Sequence, residues 1–127
     1  MLTTNDKQLN RTMIKLNICA VTACISGVAH TYMAATQLEK IAPLKNWHIK
    51  VETQGALGIE NELQPDDIVK SDIVLLICNT AIKMSERFEK CRCIEMDISQ
   101  FLLNNDKLFQ AVQKIMLRPK GTKIQLD

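Results

Sequence analysis

Ile14-Lys-Leu-Asn-Ile-Cys-Ala-Val-Thr-Ala-Cys-Ile-Ser-Gly-Val-Ala-His-Thr31 is the stretch that decides the fold. It alternates at first and then becomes apolar through Val21, the pattern of a buried strand. Cys24-Ile25-Ser26-Gly27 is a turn signal directly after it. From Ala29 to about Leu44 the period lengthens to that of a helix. Met33, Ala34, Leu38, Ile41 and Ala42 are assigned to one face, opposite Gln37, Glu39 and Lys40, and Pro43 and Asn46 mark the end. The unit is strand, loop, helix.

The rest of the chain repeats that alternation. His48–Thr53 reads as a second strand, followed by a loop with two glycines, Gln54 to Gly58. Pro65 to Lys70 has Pro and acids where a short helix wants them. Asp72 to Cys78 is the clearest strand, with five branched apolar residues in a row, as in a parallel strand covered on both faces. Met84–Phe88 has helical character, Cys93–Met96 is a fourth strand, and a helix over 98–117 breaks near Asn104-Asn105. Strands alternating with helices predict a single α/β domain with a parallel sheet and right-handed crossovers. The expected bounds are a polar N-terminal tail at 1–12, a domain at 13–117 and a basic C-terminal tail at 118–127.

The chain has 127 residues, enough for one ordinary domain. It is 46% hydrophobic and 24% charged, which excludes a disordered or fibrous chain. A net charge of +2 and only 4% aromatic residues argue against a nucleic-acid partner. The longest apolar run, Ile73 to Cys78, is far short of the roughly 20 residues of a membrane-spanning helix. Apolar Ile18 to Ala29 imitates a late export signal, but Thr22, Ser26, Gly27 and His30 interrupt it. Five cysteines without paired spacing read as reduced thiols in a cytoplasm, with no metal site.

In parallel α/β sheets ligands bind beyond the carboxyl ends of the strands. Here that places the loop from Cys24 to Thr31 at the start of a helix, where unpaired N–H groups and the helix dipole favour an anion. Gly27 lets the loop curl, Ser26 and Thr31 bring hydroxyls, and the same field favours a thiolate at Cys24. A thiolate over an anion cradle is suited to accept a phosphoryl group. Neither a Walker loop nor a Gly-x-Gly-x-x-Gly loop is present. Small tyrosine phosphatases place Arg and Ser/Thr where this chain has His30 and Thr31. A cysteine phosphatase is therefore the alternative reading, without its arginine clamp. A regulatory module that merely senses phosphorylation would not need the intact Cys24.

Ala20-Val-Thr-Ala-Cys-Ile-Ser-Gly-Val-Ala-His-Thr-Tyr-Met-Ala-Ala35 resembles the active-site segment of the fructose-family enzyme IIB proteins of the bacterial sugar phosphotransferase system. Val51 to Gly58 with Glu60-Asn61 resembles that family's second signature, and Glu86-Arg87-Phe88 a third. Many relatives have Pro after the cysteine, where this chain has Ile25. The resemblance implies a four-stranded parallel sheet with helices on both faces. It implies Cys24 as a phosphocysteine and Ile25, Ser26, Gly27, Val28, Ala29, His30 and Thr31 as the phosphate loop. Gln54 and Gly55 would border Cys24 and shape a docking face. Phosphohistidine of enzyme IIA would be the donor and a sugar held by membrane enzyme IIC the acceptor, with no cofactor.

Overall fold

The protein is represented by a computed structural model that describes residues 14–25 and 28–126. The expected N-terminal tail, Ser26 and Gly27 lie outside the described residues. Strand β1 (Leu16–Ala23) is central, with β2 (Trp47–Gly55) on one side and β4 (Ile73–Cys78) on the other, both parallel to it. β5 (Cys93–Met96) adds in parallel beyond β4. These are the four parallel strands expected.

The sheet nevertheless has six strands, and the count of four is corrected by its two edges, one short strand beyond β2 and one beyond β5. The supposed loop after β2 is a tight hairpin. Residues 56–57 reverse the chain, Gly55 faces Gly58, and β3 (Gly58–Glu60) returns antiparallel to β2. Gly58 has φ +91°, a conformation that costs a side-chain-bearing residue strain. At the other edge, residues 123–126, placed by the sequence reading in a basic tail, form β6 (Lys123–Leu126) parallel to β5. Lys123 stays exposed there but also makes local contacts. Its ammonium donates to the carbonyls of Phe88 and Glu89 at 3.2 and 3.5 Å.

Alternation along the strands divides the core. Ile18, Ala20, Ile73, Leu75, Ile77, Ile94 and Met96 face one layer of helices. That layer is α1 (Val28–Leu44), α3 (Ile98–Leu103) and α4 (Asp106–Ile115), which contribute Leu38, Ile41, Phe101, Leu108, Val112 and Ile115. Cys19, Val21, Val74 and Cys93 face the opposite way, onto Leu63, Phe88 and the half-buried Ile68. The cover there is thin: α2 (Pro65–Lys70) and a 3₁₀ turn over Ser85–Phe88. Met33 does not join the buried stripe of α1 and is 54% exposed. Five residues before Leu38, it stands about 140° around the helix from it. The break between α3 and α4 falls at 104–105, where the Asp106 N–H donates to the Asn104 side chain.

β6 brings half-buried Ile124 and Leu126 against the main core. Truncation after Gly121 is expected to lower stability by about 2 kcal/mol, the burial of two partly covered aliphatic side chains. Urea unfolding of the full and shortened chains measures this. An unchanged midpoint would make β6 an ornament of the sheet edge.

Candidate active site

Cys24 follows the last residue of β1 and so stands at the carboxyl end of the central strand. It is 8% exposed and lies in a cleft of about 310 Å³ bordered by Ile25, Gln54, Gly55, Ile59 and Lys83. α1 begins four residues later, and its first turn carries no acidic side chain to neutralise the dipole. The Asn79 side-chain amide donates to Cys24 Sγ at 3.6 Å, and His30 Nδ1 stands 3.9 Å from the sulfur. Thr22 Oγ1 donates to the Thr31 carbonyl at 3.0 Å, tying the strand to the helix start. A larger cleft, about 630 Å³, opens beside this one at the ends of β4, β5 and β6. It is walled by Glu95 and Asp97, the wrong sign for a phosphate, and lacks Cys24.

Beneath the cleft lies a buried charge. The Glu52 side chain has no exposed surface. Arg87 grips it with two N–H groups, at 2.6 and 3.0 Å. The Leu63 N–H and the Gln54 amide each donate to it at 2.8 Å. Burial alone would raise the Glu52 pKa. The hydrogen bonds from Arg87, Gln54 and Leu63, with the Arg87 charge, outweigh that and hold it below the usual carboxylate value. Gln54 then exchanges two bonds with the backbone of Lys83, at 2.8 and 3.2 Å, fixing the segment that walls the far side of the cleft. The other strand thiols are unsuited to chemistry. Burial pushes Cys19 and Cys78 up to about 11, aided by Asp67 at Cys19 and Glu95 at Cys78.

A family model described as "PTS system, Lactose/Cellobiose specific IIB subunit" matches residues 19–111. The chain belongs to the IIB subunits of the sugar phosphotransferase system. It is 46% identical to PTS system fructose-like EIIB component 3 of Escherichia coli (strain K12) over 110 residues, 87% of this chain and 97% of that one. A crystal structure of a predicted fructose-specific IIB from Escherichia coli superposes with a TM-score of 0.84 at 46% identity, covering 88% of this chain and 99% of that one. A PTS system fructose-specific EIIABC component of Mycoplasma pneumoniae is 33% identical over 103 residues, 81% of this chain and 15% of that one. The protein is thus a phosphoryl-transfer subunit of a sugar transport system.

The candidate site gathers some expected residues and redeploys others. Cys24, Ile25, Gln54 and Gly55 share one cleft. The Ile25 N–H, expected to face a phosphate, is taken by Asn79 Oδ1 at 2.9 Å, while its side chain is 76% exposed. Ala29 and His30 are exposed in the first turn of α1, whose leading N–H groups have no partner within a helix. Thr31 is fully buried, and its hydroxyl has no hydrogen-bond partner among the described residues. It lies against Gly55, where an added Cβ would stand 3.7 Å from Thr31 Cγ2. Tyr32 bonds Glu60 and holds the β2–β3 hairpin beside the helix start. Residues missed in the sequence are Asn79, Lys83 and the duty of Glu52. The only signal for Glu52 was a carboxylate inside one signature with an arginine inside another. Among the described residues no group of three His, Cys, Asp or Glu side chains could hold a metal, and no helix is long and apolar enough to cross a membrane.

Arg87→Ala leaves the Glu52 carboxylate buried without its cation and is expected to cost about 3–5 kcal/mol. The lowered Glu52 pKa adds stability above the ordinary carboxylate range, lost as pH falls toward the depressed value. Glu52→Gln should therefore flatten the acid limb of stability against pH. Unfolding curves of both variants from neutral to acid pH test this, and an Arg87→Ala loss under 1 kcal/mol would contradict it.

Proposed function

We propose that Cys24 carries a phosphoryl group from the phosphohistidine of enzyme IIA to a fructose-like sugar bound by enzyme IIC. In the first step the P–N bond of the donor breaks as the thiolate forms a P–S bond. In the second the P–S bond breaks, a sugar hydroxyl gains the phosphoryl group, and its proton leaves to solvent. The observation that carries the reading is the placement of the thiol at the end of β1. It faces the unneutralised start of α1 and is flanked by the amide of Asn79. Ala29 and His30 belong to the turn whose amides would meet the phosphoryl oxygens. Ser26 and Gly27 complete the proposed phosphate loop, and Val28 begins the helix. Thr31, buried in the first turn of α1, is bound through its carbonyl to Thr22 of β1.

The partners follow from the chemistry and from the relatives. In the Mycoplasma pneumoniae EIIABC component the matching segment is part of one chain named for all three functions. The present chain would meet its IIA and IIC as separate or linked units on the cytoplasmic side. Fructose-like specificity is carried over from relatives so named. Hydrolysis is disfavoured because His30 occupies the place of the phosphatase arginine. A histidine offers at most one donor to the phosphoryl oxygens, where a guanidinium offers a fork.

Incubation with a phosphorylated IIA of a fructose system should add one phosphoryl group to the wild type and none to Cys24→Ser, with the unfolding midpoint kept. Intact mass and peptide mapping read the outcome. Label on Cys78, Cys91 or a histidine would remove Cys24 from the role. The isolated phosphoprotein should outlast many transfer turnovers and leave aryl phosphates untouched. Loss of the label within seconds, without a partner, would favour the phosphatase.

A further inference from the structure

We propose that Asn79 is a positioning residue for the Cys24 thiolate, holding the loop with its oxygen and the sulfur with its nitrogen. The proposal rests on Cys24 being the phosphoryl acceptor. Asn79 is the first residue beyond β4 and bonds three consecutive residues at the end of the neighbouring strand β1. Its backbone N–H donates to the Ala23 carbonyl at 3.2 Å. Its side-chain nitrogen donates to Cys24 Sγ at 3.6 Å. Its side-chain oxygen accepts from the Ile25 N–H at 2.9 Å.

Only a carboxamide of this length does both side-chain tasks. Aspartate keeps an acceptor for Ile25 but has no hydrogen for sulfur, and alanine has neither. The donor matters when the sulfur is negative, because hydrogen bonds to ionised groups are roughly twice as strong as neutral ones. The oxygen also has a consequence for the loop. It uses the Ile25 N–H, so an arriving phosphoryl group is left to the amides further along, toward α1. Asn79 is exposed and fills no part of the core, so its substitution does not open a cavity. The other titratable groups around the thiol are His30 on α1 and Lys83 across the cleft, and both stay in place.

The ranking of variants separates this role from a purely structural one. If the sulfur contact matters, reactivity should fall in the order wild type, Asn79→Ala, Asn79→Asp, because the carboxylate repels the thiolate. If only the clasp on Ile25 matters, Asn79→Asp should match the wild type and Asn79→Ala should be the slow variant. Iodoacetamide alkylation of Cys24 across pH, mapped by peptide mass, reads the first quantity without any partner. Cys91, which is partly exposed, is the internal reference. Asn79→Asp is expected to slow Cys24 alkylation about tenfold at neutral pH and to move the midpoint of its pH profile upward. Acceptance of phosphate from phospho-IIA should fall by about the same factor, with the unfolding midpoint unchanged. A wild-type profile and transfer rate in Asn79→Asp, or the order that a clasp alone predicts, would overturn the proposal. If the wild type fails to take phosphate while the alkylation order holds, the carrier reading fails and the contact to sulfur stands.

Discussion

The carboxylate of Glu52, enclosed on every side, is the constraint to which the irregular half of this fold is fitted. Strands are held by their ladders and α1 by its own turns. The segments around residue 63 and from 80 to 84 lie outside both, and the 3₁₀ turn over Ser85–Phe88 has only its own short turn. They are organised by one ion pair and its hydrogen bonds: Leu63 through its N–H, Gln54 through its amide, and the 3₁₀ turn through Arg87. Arg87 also stacks on Phe88, 4.6 Å from the ring centre, so it joins the apolar cover to the polar network. A buried pair of this kind adds little stability over an apolar replacement. What it contributes here is position, because the segment that Gln54 fixes is a wall of the thiol's cleft.

The same economy recurs around the thiol. Three polar side chains, Thr22, Asn79 and Gln54, bind backbone groups of segments brought together at the strand ends. Each comes from a different strand end or its following residue, and each spans to a loop or helix start. The loop that carries the thiol is therefore held at its opening by β4 and at its exit by β1. The helix start between these anchors carries no acid to offset its positive end.

The layered α/β class, the four central strands and the long helix were legible in the sequence because they carry strong periodic signals. Ile73 to Cys78 and the Ala34–Leu38–Ile41 stripe leave little choice. The edges were not legible. A three-residue β3 is too short to show a period, and the two glycines of the hairpin, Gly55 and Gly58, look like any loop. Lys-Ile-Gln-Leu at 123–126 does alternate, but the surrounding basic residues outweighed four positions of pattern. The place of Cys24 at the end of the first strand was readable because a Ser-Gly turn and then a helix follow it in the sequence. Asn79 was not, since an asparagine after a strand is an ordinary turn residue until its neighbour across the sheet is known. Glu52 was hidden by a simple rule. Alternate residues of a strand face water only if that face is uncovered, and here the second face lies under Leu63 and Phe88.

The strand order β3-β2-β1-β4-β5-β6 has a consequence for assembly. It grows outward from the first described strand. β2 and then β3 extend one side, and β4, β5 and β6 in turn extend the other. Every strand in chain order therefore meets a sheet whose edge is already open to it, and none must be threaded between two that have paired. Closing each successive loop costs little more than closing the one before. A nucleus of β1, α1 and β2, joined by short connections, can thus be extended strand by strand. In chain order, the residues after β4 that border the thiol follow the helix start on its other side.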